Sequence, residues 1–272
     1  MTLQAKADSR EALLFNETVV LLTRQQEGED VTNALKESLA RLTAVYKTGK
    51  CNFSLIQAAI GLASVGLGQH DEACSKLKNA VKIAAGDECI VNNAMLGMLH
   101  MGEVRQAHKF AVDASLRFAG HRGVLSFAST VLLTTLDMTA YAQNISDELK
   151  LALNEADVEM FVKKQASAEL ISEYFKASGY SHEDLMQRLE SAVCIIREAG
   201  NNVHSMKFRA TGEDDMQLEL FVDADNSRCA DLNFEIAECL LERFEGRAAQ
   251  ELISIVTRVF KARVANPRLA IV

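Results

Sequence analysis

Proline occurs once in these 272 residues, at Pro267, and tryptophan is absent. Proline breaks helix interiors by removing a donor and clashing with the preceding turn, so its near absence permits long uninterrupted helices. Long apolar runs are also missing. Nothing reaches the roughly 18 consecutive apolar residues of a transmembrane helix, so no membrane partner is expected. The first residues, Met1-Thr-Leu-Gln-Ala-Lys-Ala-Asp8, lack the basic-then-apolar plan of a signal peptide, and a cytoplasmic location is expected. No CxxC pair occurs among Cys51, Cys74, Cys89, Cys194, Cys229 and Cys239, which read as buried free thiols. Clustered positive charge is lacking as well. The net charge is −8, and the densest basic groups, Lys76-Leu-Lys78 with Lys82 and Lys261-Ala-Arg263, are too small to track a phosphate backbone, so no nucleic-acid partner is expected.

Catalytic signatures are equally scarce. There is no GxSxG elbow, no P-loop and no GxGxxG, and the glycines from Gly61 to Gly68 fall inside a predicted helix and at its turn, where they serve close helix contact. Asp223-Ala-Asp225-Asn-Ser227 has the acidic alternation of a calcium loop, but Arg228 replaces the turn glycine and Phe234 stands where the bidentate glutamate belongs. A strand-end turn followed by a helix cap explains it better. The six histidines, His70, His100, His108, His121, His182 and His204, form no HxxxH or HExxH pair, and spacing gives no support for a zinc site. Glu213-Asp214-Asp215 falls at a predicted hairpin tip and reads as a solvated loop. No catalytic residue, cofactor or metal ligand is therefore expected, and an enzyme with an unrecognised site remains only as a secondary alternative.

What is present is a repeat. Gly68-Gln-His-Asp-Glu-Ala73 is answered by Gly102-Glu-Val-Arg-Gln-Ala107, both glycine and alanine recurring after 34 residues. Ala80 is matched by Ala114 and Ala85 by Ala119, so an apolar helix precedes each glycine and an alanine-studded helix follows it. Helices are predicted near 54–67, 71–85, 88–101 and 104–118. A preceding hairpin covers about 9–24 and 30–47, with Ala34 in the role of Ala73, and a degenerate terminal one uses 124–136 and 138–153, with Tyr141 in the alanine register. On these residues the N-terminal half resembles a tetratricopeptide-like (TPR-like) helical repeat. It departs from that family at Met95, which answers Gly61, and at Ser64 and Met98, where tyrosine is usual.

After about Ala156 the pattern changes. Val158-Glu-Met-Phe-Val162 alternates like a short strand, 166–177 and 182–199 read as helices with Ser181 capping the second, and strands are predicted around 206–210 and 218–222. Asp225-Asn-Ser227 caps a helix to Arg243, and β-branched Ile253–Phe260 reads as a strand. Met206, Phe208, Leu218, Leu220 and Val222 should share one buried face under Leu232, Ile236 and Leu240, with Glu219 on the solvent side. If 157–163 is a strand, the order is that of a split βαβ, ferredoxin-like domain; if it is helical, a three-stranded sheet is backed by helices.

The expected fold is thus mainly α: a stack of helical hairpins over 1–156, then a smaller α+β domain over 157–272. The resemblance implies a protein–protein interaction adaptor or scaffold that holds a protein or peptide partner in a groove lined by the first helix of each hairpin. The polar groove candidates are Asn52, Gln57, Asn92, Asn93 and Ser126. The alternative is a regulator that senses a ligand or forms a homodimer through the α+β domain.

Overall fold

A computed structural model describes residues 9–27, 29–84, 87–152, 154–178, 181–210, 216–244 and 253–260. Among them run α1 (Arg10–Gln26), α2 (Thr32–Lys47), α3 (Phe53–Gly66), α4 (His70–Ile83), α5 (Glu88–His100), α6 (Val104–Arg117), α7 (Arg122–Thr134), α8 (Met138–Lys150), α9 (Glu155–Ser178) and α10 (His182–Glu198), followed by β1 (Val203–Ala210), β2 (Met216–Val222), α11 (Asn226–Arg243) and β3 (Ile253–Val259). The protein is mainly α with a small α+β part. Short polar side chains fix the helix starts by accepting from otherwise unpartnered first-turn amides: Ser9, Asn52, Asp87, Asp137 and Asp225 each do so, and Ser181 forms a reciprocal capping box with Asp184. The residues form two compact units, one up to Met101 and one from Gly102 to Phe260.

In the first unit, consecutive helices pack on their neighbours around α3, which touches α1, α2, α4 and α5. Its sequence is apolar on every side, so residues Leu55 to Ser64 are all buried. A helix of this kind needs cover all round, unlike an amphipathic surface helix. Small residues set the helix spacing. A Cβ on Gly61 would lie 2.7 Å from Leu77 Cγ and 3.1 Å from the Leu77 backbone nitrogen. Facing it, α4 buries Ala73, Leu77 and Ala80 at helical intervals.

In the second unit α6 packs on α7 and α10, α7 on α8 and β1, α8 on α9, α10 on α11, and α11 on β3. Ala107, Ala111 and Ala114 are the buried small residues of α6, and Gly102 lies so close to Val193 of α10 that a side chain there would collide with it. Arg105 reinforces the α6–α10 contact with paired bonds of 2.8 and 2.9 Å to Glu183 and of 2.9 Å each to Glu190. Arg122 of α7 likewise forks onto Asp157 of α9 at 2.7 and 3.0 Å.

The repeat is visible in the backbone. Gly68 and Gly102 follow α3 and α5 with φ of +69° and +67°, and Leu136 takes φ +64° after α7, another 34 residues on. Gln69 donates to Ser64 and Asp137 to Leu132 in the same Schellman pattern, so Leu136 fills a turn position that glycine normally occupies.

Segment 158–162 is helical, correcting the strand expectation, and among the described residues the ferredoxin-like order does not form. Val158, Met160 and Val162 alternate in sequence but are exposed, whereas Phe161, Ala168 and Ile171 of α9 are buried at helical spacing. The second arrangement foreseen for this half is the one observed: a three-stranded sheet in the order β1-β2-β3. In it β2 runs antiparallel to β1, with Met206 opposite Leu220 and Phe208 opposite Leu218, and parallel to β3, with Leu220 opposite Thr257. The Thr257 hydroxyl donates to the Cys229 carbonyl of α11 at 2.9 Å, which identifies the face shared with Leu220 as the one α11 covers. Leu218, Leu220 and Val222 are fully buried, as are Leu232, Ile236 and Leu240. Glu219 departs from expectation. It points to the opposite face yet is only 3% exposed, where it accepts from Arg258 at 3.2 Å. The expected hairpin tip with Glu213, Asp214 and Asp215 lies outside the described residues.

Candidate functional site

The five groove candidates occupy different kinds of position. Asn52 is exposed and caps α3, accepting from the Leu55 amide at 3.2 Å. Gln57, Asn92 and Asn93 are buried within α3 and α5, and Asn93 donates to the Cys89 carbonyl at 2.8 Å. Ser126 is half-buried on α7, with its carbonyl accepting from Thr130. None of the five lines the groove that opens in the first unit. That groove, of about 530 Å³, is walled by Leu39, Thr43 and Tyr46 of α2, Ile60 of α3 and the first turns of α4. Tyr46 stands edge-on to Phe53 at 5.6 Å, and the Lys76 ammonium lies 5.0 Å from its ring centre.

A denser constellation lies in the second unit. His108 of α6, Asp137 at the start of α8 and His182 at the start of α10 each place a ligating atom within 4.8 Å of the other two, and all three are half-buried. His108 Nε2 lies 2.9 Å from Asp137 Oδ2, and the His108 and His182 ring centres are 4.7 Å apart. The other ends of these groups are held. His182 Nε2 lies 3.1 Å from the Thr135 carbonyl, and Asp137 Oδ1 accepts from the Ala140 amide at 2.9 Å as the α8 cap. The short Thr135-Leu136-Asp137 turn therefore supplies the carbonyl that orients one imidazole and the carboxylate that meets the other.

The electrostatics follow from this packing. Burial alone pushes the Asp137 carboxyl upward, but the bonds from His108 and the Ala140 amide bring it below the ordinary 3.8. Burial lowers His182 below 6.5 by more than the attraction of Asp137 raises it. At neutral pH the arrangement is a carboxylate beside a neutral His182. An imidazole whose Nε2–H is donated to a carbonyl keeps its lone pair on Nδ1. The group can share a proton or hold a cation.

A second polar group is buried between α7 and α8. Ser129 donates a short hydrogen bond to Glu148, and Asn144 donates to Ser129 and to the Leu125 carbonyl, each at 2.6 Å. Glu148 is fully buried, and burial raises its pKa despite the Ser129 bond.

The histidine–aspartate cluster was not legible from spacing, because 29 residues separate His108 from Asp137 and 45 separate Asp137 from His182. The only local signal was Asp137 as a helix cap, which by itself marks a helix start. Compared with protein-family models, curated proteins and solved structures, the chain matches none.

Proposed function

We propose that this chain is a cytoplasmic protein–protein interaction scaffold of the tetratricopeptide-like type, which holds a peptide segment of a partner protein. The observation that supports the reading is the left-handed turn recurring every 34 residues at Gly68, Gly102 and Leu136. Arrays of stacked repeats offer extended surfaces rather than a single reactive cleft. The six free cysteines suit a reducing compartment. Many described arginines are already spent on carboxylates, among them Arg24, Arg41, Arg105, Arg122 and Arg228, which argues against a phosphate backbone as the partner.

Within the first unit the groove beside Tyr46 is the seat this reading favours, because an aromatic ring, apolar Leu39 and charged Asp71, Glu72 and Lys76 converge there. Peptide recognition commonly combines such an apolar anchor with flanking charge. A photo-crosslinking residue at Thr43 tests it in cells. A discrete protein adduct that is lost with Tyr46→Ala and with Lys76→Glu supports the seat; adducts only from Asn52 or Ser126 positions move the groove to the first helices; no adduct at any of these positions overturns the scaffold.

One observation favours the second reading, a regulator that dimerises through its α+β part. Phe234 (70% exposed), Ala237 and Leu241 (56% exposed) form an apolar stripe along the solvent face of α11. Spacing of three and four residues is that of a helix–helix seam. Light scattering on Phe234→Glu and Leu241→Glu decides it: a wild-type dimer that becomes monomeric in both supports dimerisation, and a monomeric wild type removes it.

A further inference from the structure

We propose that His108, Asp137 and His182 form a binding site for a divalent first-row transition-metal cation of the zinc class, with at least one coordination position open to water or a ligand. Two imidazoles and one carboxylate are a donor set that suits zinc and its neighbours, whereas calcium and magnesium require several oxygen ligands. The ligating atoms already lie within 4.8 Å of one another. A tetrahedral sphere with bonds of 2.0–2.1 Å needs ligand atoms about 3.3 Å apart, so rotamer-scale movement closes the site.

The supporting shell is what a metal site needs. His182 is bonded through Nε2 to the Thr135 carbonyl, which fixes its tautomer and directs the Nδ1 lone pair elsewhere. Metal-bound histidines characteristically donate their second ring nitrogen in this way. Asp137 is anchored through Oδ1 to the Ala140 amide, which leaves Oδ2 for the cluster. The cation takes the place of the proton between His108 Nε2 and Asp137 Oδ2, and the neutral imidazole carries that proton on Nδ1 instead. Between Thr135 and Asp137 sits Leu136, the described non-glycine residue with a left-handed backbone. Strain of this kind persists where the surrounding structure over-determines it, and here it holds the carbonyl and the carboxylate at fixed positions relative to each other.

Each donor comes from a different element, α6, the α7–α8 turn and α10, all in one compact unit. A cation would therefore cross-link three parts of the chain that are distant in sequence. Among the described residues three side chains converge as donors, and three protein donors with an open position are the pattern of sites that bind a further ligand rather than of closed structural sites.

The test uses the full chain, freed of metal, titrated with Zn²⁺ against a chromophoric chelator and with Co²⁺ followed by visible absorption. One Zn²⁺ per chain is expected, with tetrahedral or five-coordinate cobalt bands and no sulfur-to-cobalt charge transfer. His108→Ala and His182→Ala should each weaken binding by more than the roughly 10–100-fold typical of losing an outer-shell partner. Asp137→Asn, which keeps the α8 cap acceptor, should do the same, while His121→Ala should leave affinity unchanged. Where an alanine variant fails to fold, the corresponding glutamine variant replaces it, and loss of Zn²⁺-induced thermal stabilisation becomes the readout. Absence of stoichiometric zinc, affinity unchanged in the three variants, or a cobalt spectrum dominated by cysteine sulfur would each overturn the site and leave a histidine–aspartate hydrogen-bond cluster.

Discussion

Leu136 repeats the backbone of Gly102, with φ +64° against +67°, in a turn of the same repeat. An L-residue in that region costs roughly 1–2 kcal/mol, because its Cβ crowds the following carbonyl. The side chain is 1% exposed, and full burial of a leucine contributes about 1.5–3 kcal/mol, enough to hold the turn. Replacing Leu136 with glycine relieves the strain while losing the burial. Urea denaturation should show Leu136→Gly losing about 1–3 kcal/mol, less than the 2–5 kcal/mol usual for truncating a core leucine such as Leu132 to alanine. An equal or larger loss at Leu136 would mean that the turn is not strained.

Close helix approach makes a second prediction. Adding a methyl group at Gly61 forces Leu77 and its backbone to move, and Gly61→Ala should cost about 1–3 kcal/mol. Gly97→Ala should cost less, since its nearest neighbour is the tip of the Leu77 side chain at 3.0 Å. Ala73→Leu and Ala107→Leu, both at fully buried positions, should each lose about 1–3 kcal/mol by overpacking. Unchanged denaturation midpoints would place these residues at solvent.

Glu148 sets a pH dependence. Burial raises its pKa above the ordinary 4.5, so the folded protein retains a proton that the unfolded chain releases. Its stabilising contribution is full below pH 4.5 and is lost as pH climbs through the folded value. Glu148→Gln removes this dependence and should be more stable than wild type at neutral pH, with the advantage shrinking on acidification. Thermal melts across that range check the sign.

Much of the architecture was legible because periodicity and caps are local. The repeated glycine turns, Ser181 before α10 and Asp225 before α11 all mark helix ends through chemistry that acts within a few residues. Val158–Val162 misled because alternation cannot distinguish a strand from the exposed side of a helix; burial of Phe161 beside Ala168 settles it. Glu219 misled for a related reason, since a polar residue in an alternating strand reads as solvated unless the far face is known to be covered. His108, Asp137 and His182 were scattered because tertiary packing, not sequence spacing, brings them together.

Both faces of β2 should therefore be sensitive. Leu220→Asp places a charge at a fully buried position and should unfold the α+β part. Glu219→Lys sets a cation against Arg258 and should cost about 1–3 kcal/mol, below the 3–5 kcal/mol for a fully buried pair because Arg258 is half exposed. A silent Glu219→Lys would return that face to solvent.

The division expected after Ala156 makes a fragment prediction. Residues 1–156 should fold cooperatively but with a lower melting temperature than the full chain, because α6 there lacks Val193 and the partners of Arg105 on α10. Circular dichroism and a thermal melt of the fragment decide it, and an unfolded fragment would make the two halves inseparable.

The parallel pairing of β2 with β3 also dictates an order of events when the chain folds. Helical hairpins such as α3–α4 join neighbours in sequence and form early, whereas Leu220 meets Thr257 only after a crossover that carries all of α11. Contacts of such long sequence separation must pay loop-closure entropy before they stabilise anything, and they slow folding. Pairing of β2 with β3 therefore waits, on the ribosome or in refolding, until α11 and β3 are in place, and until then the hydrophobic strand β2 keeps one edge open to pairing with another chain.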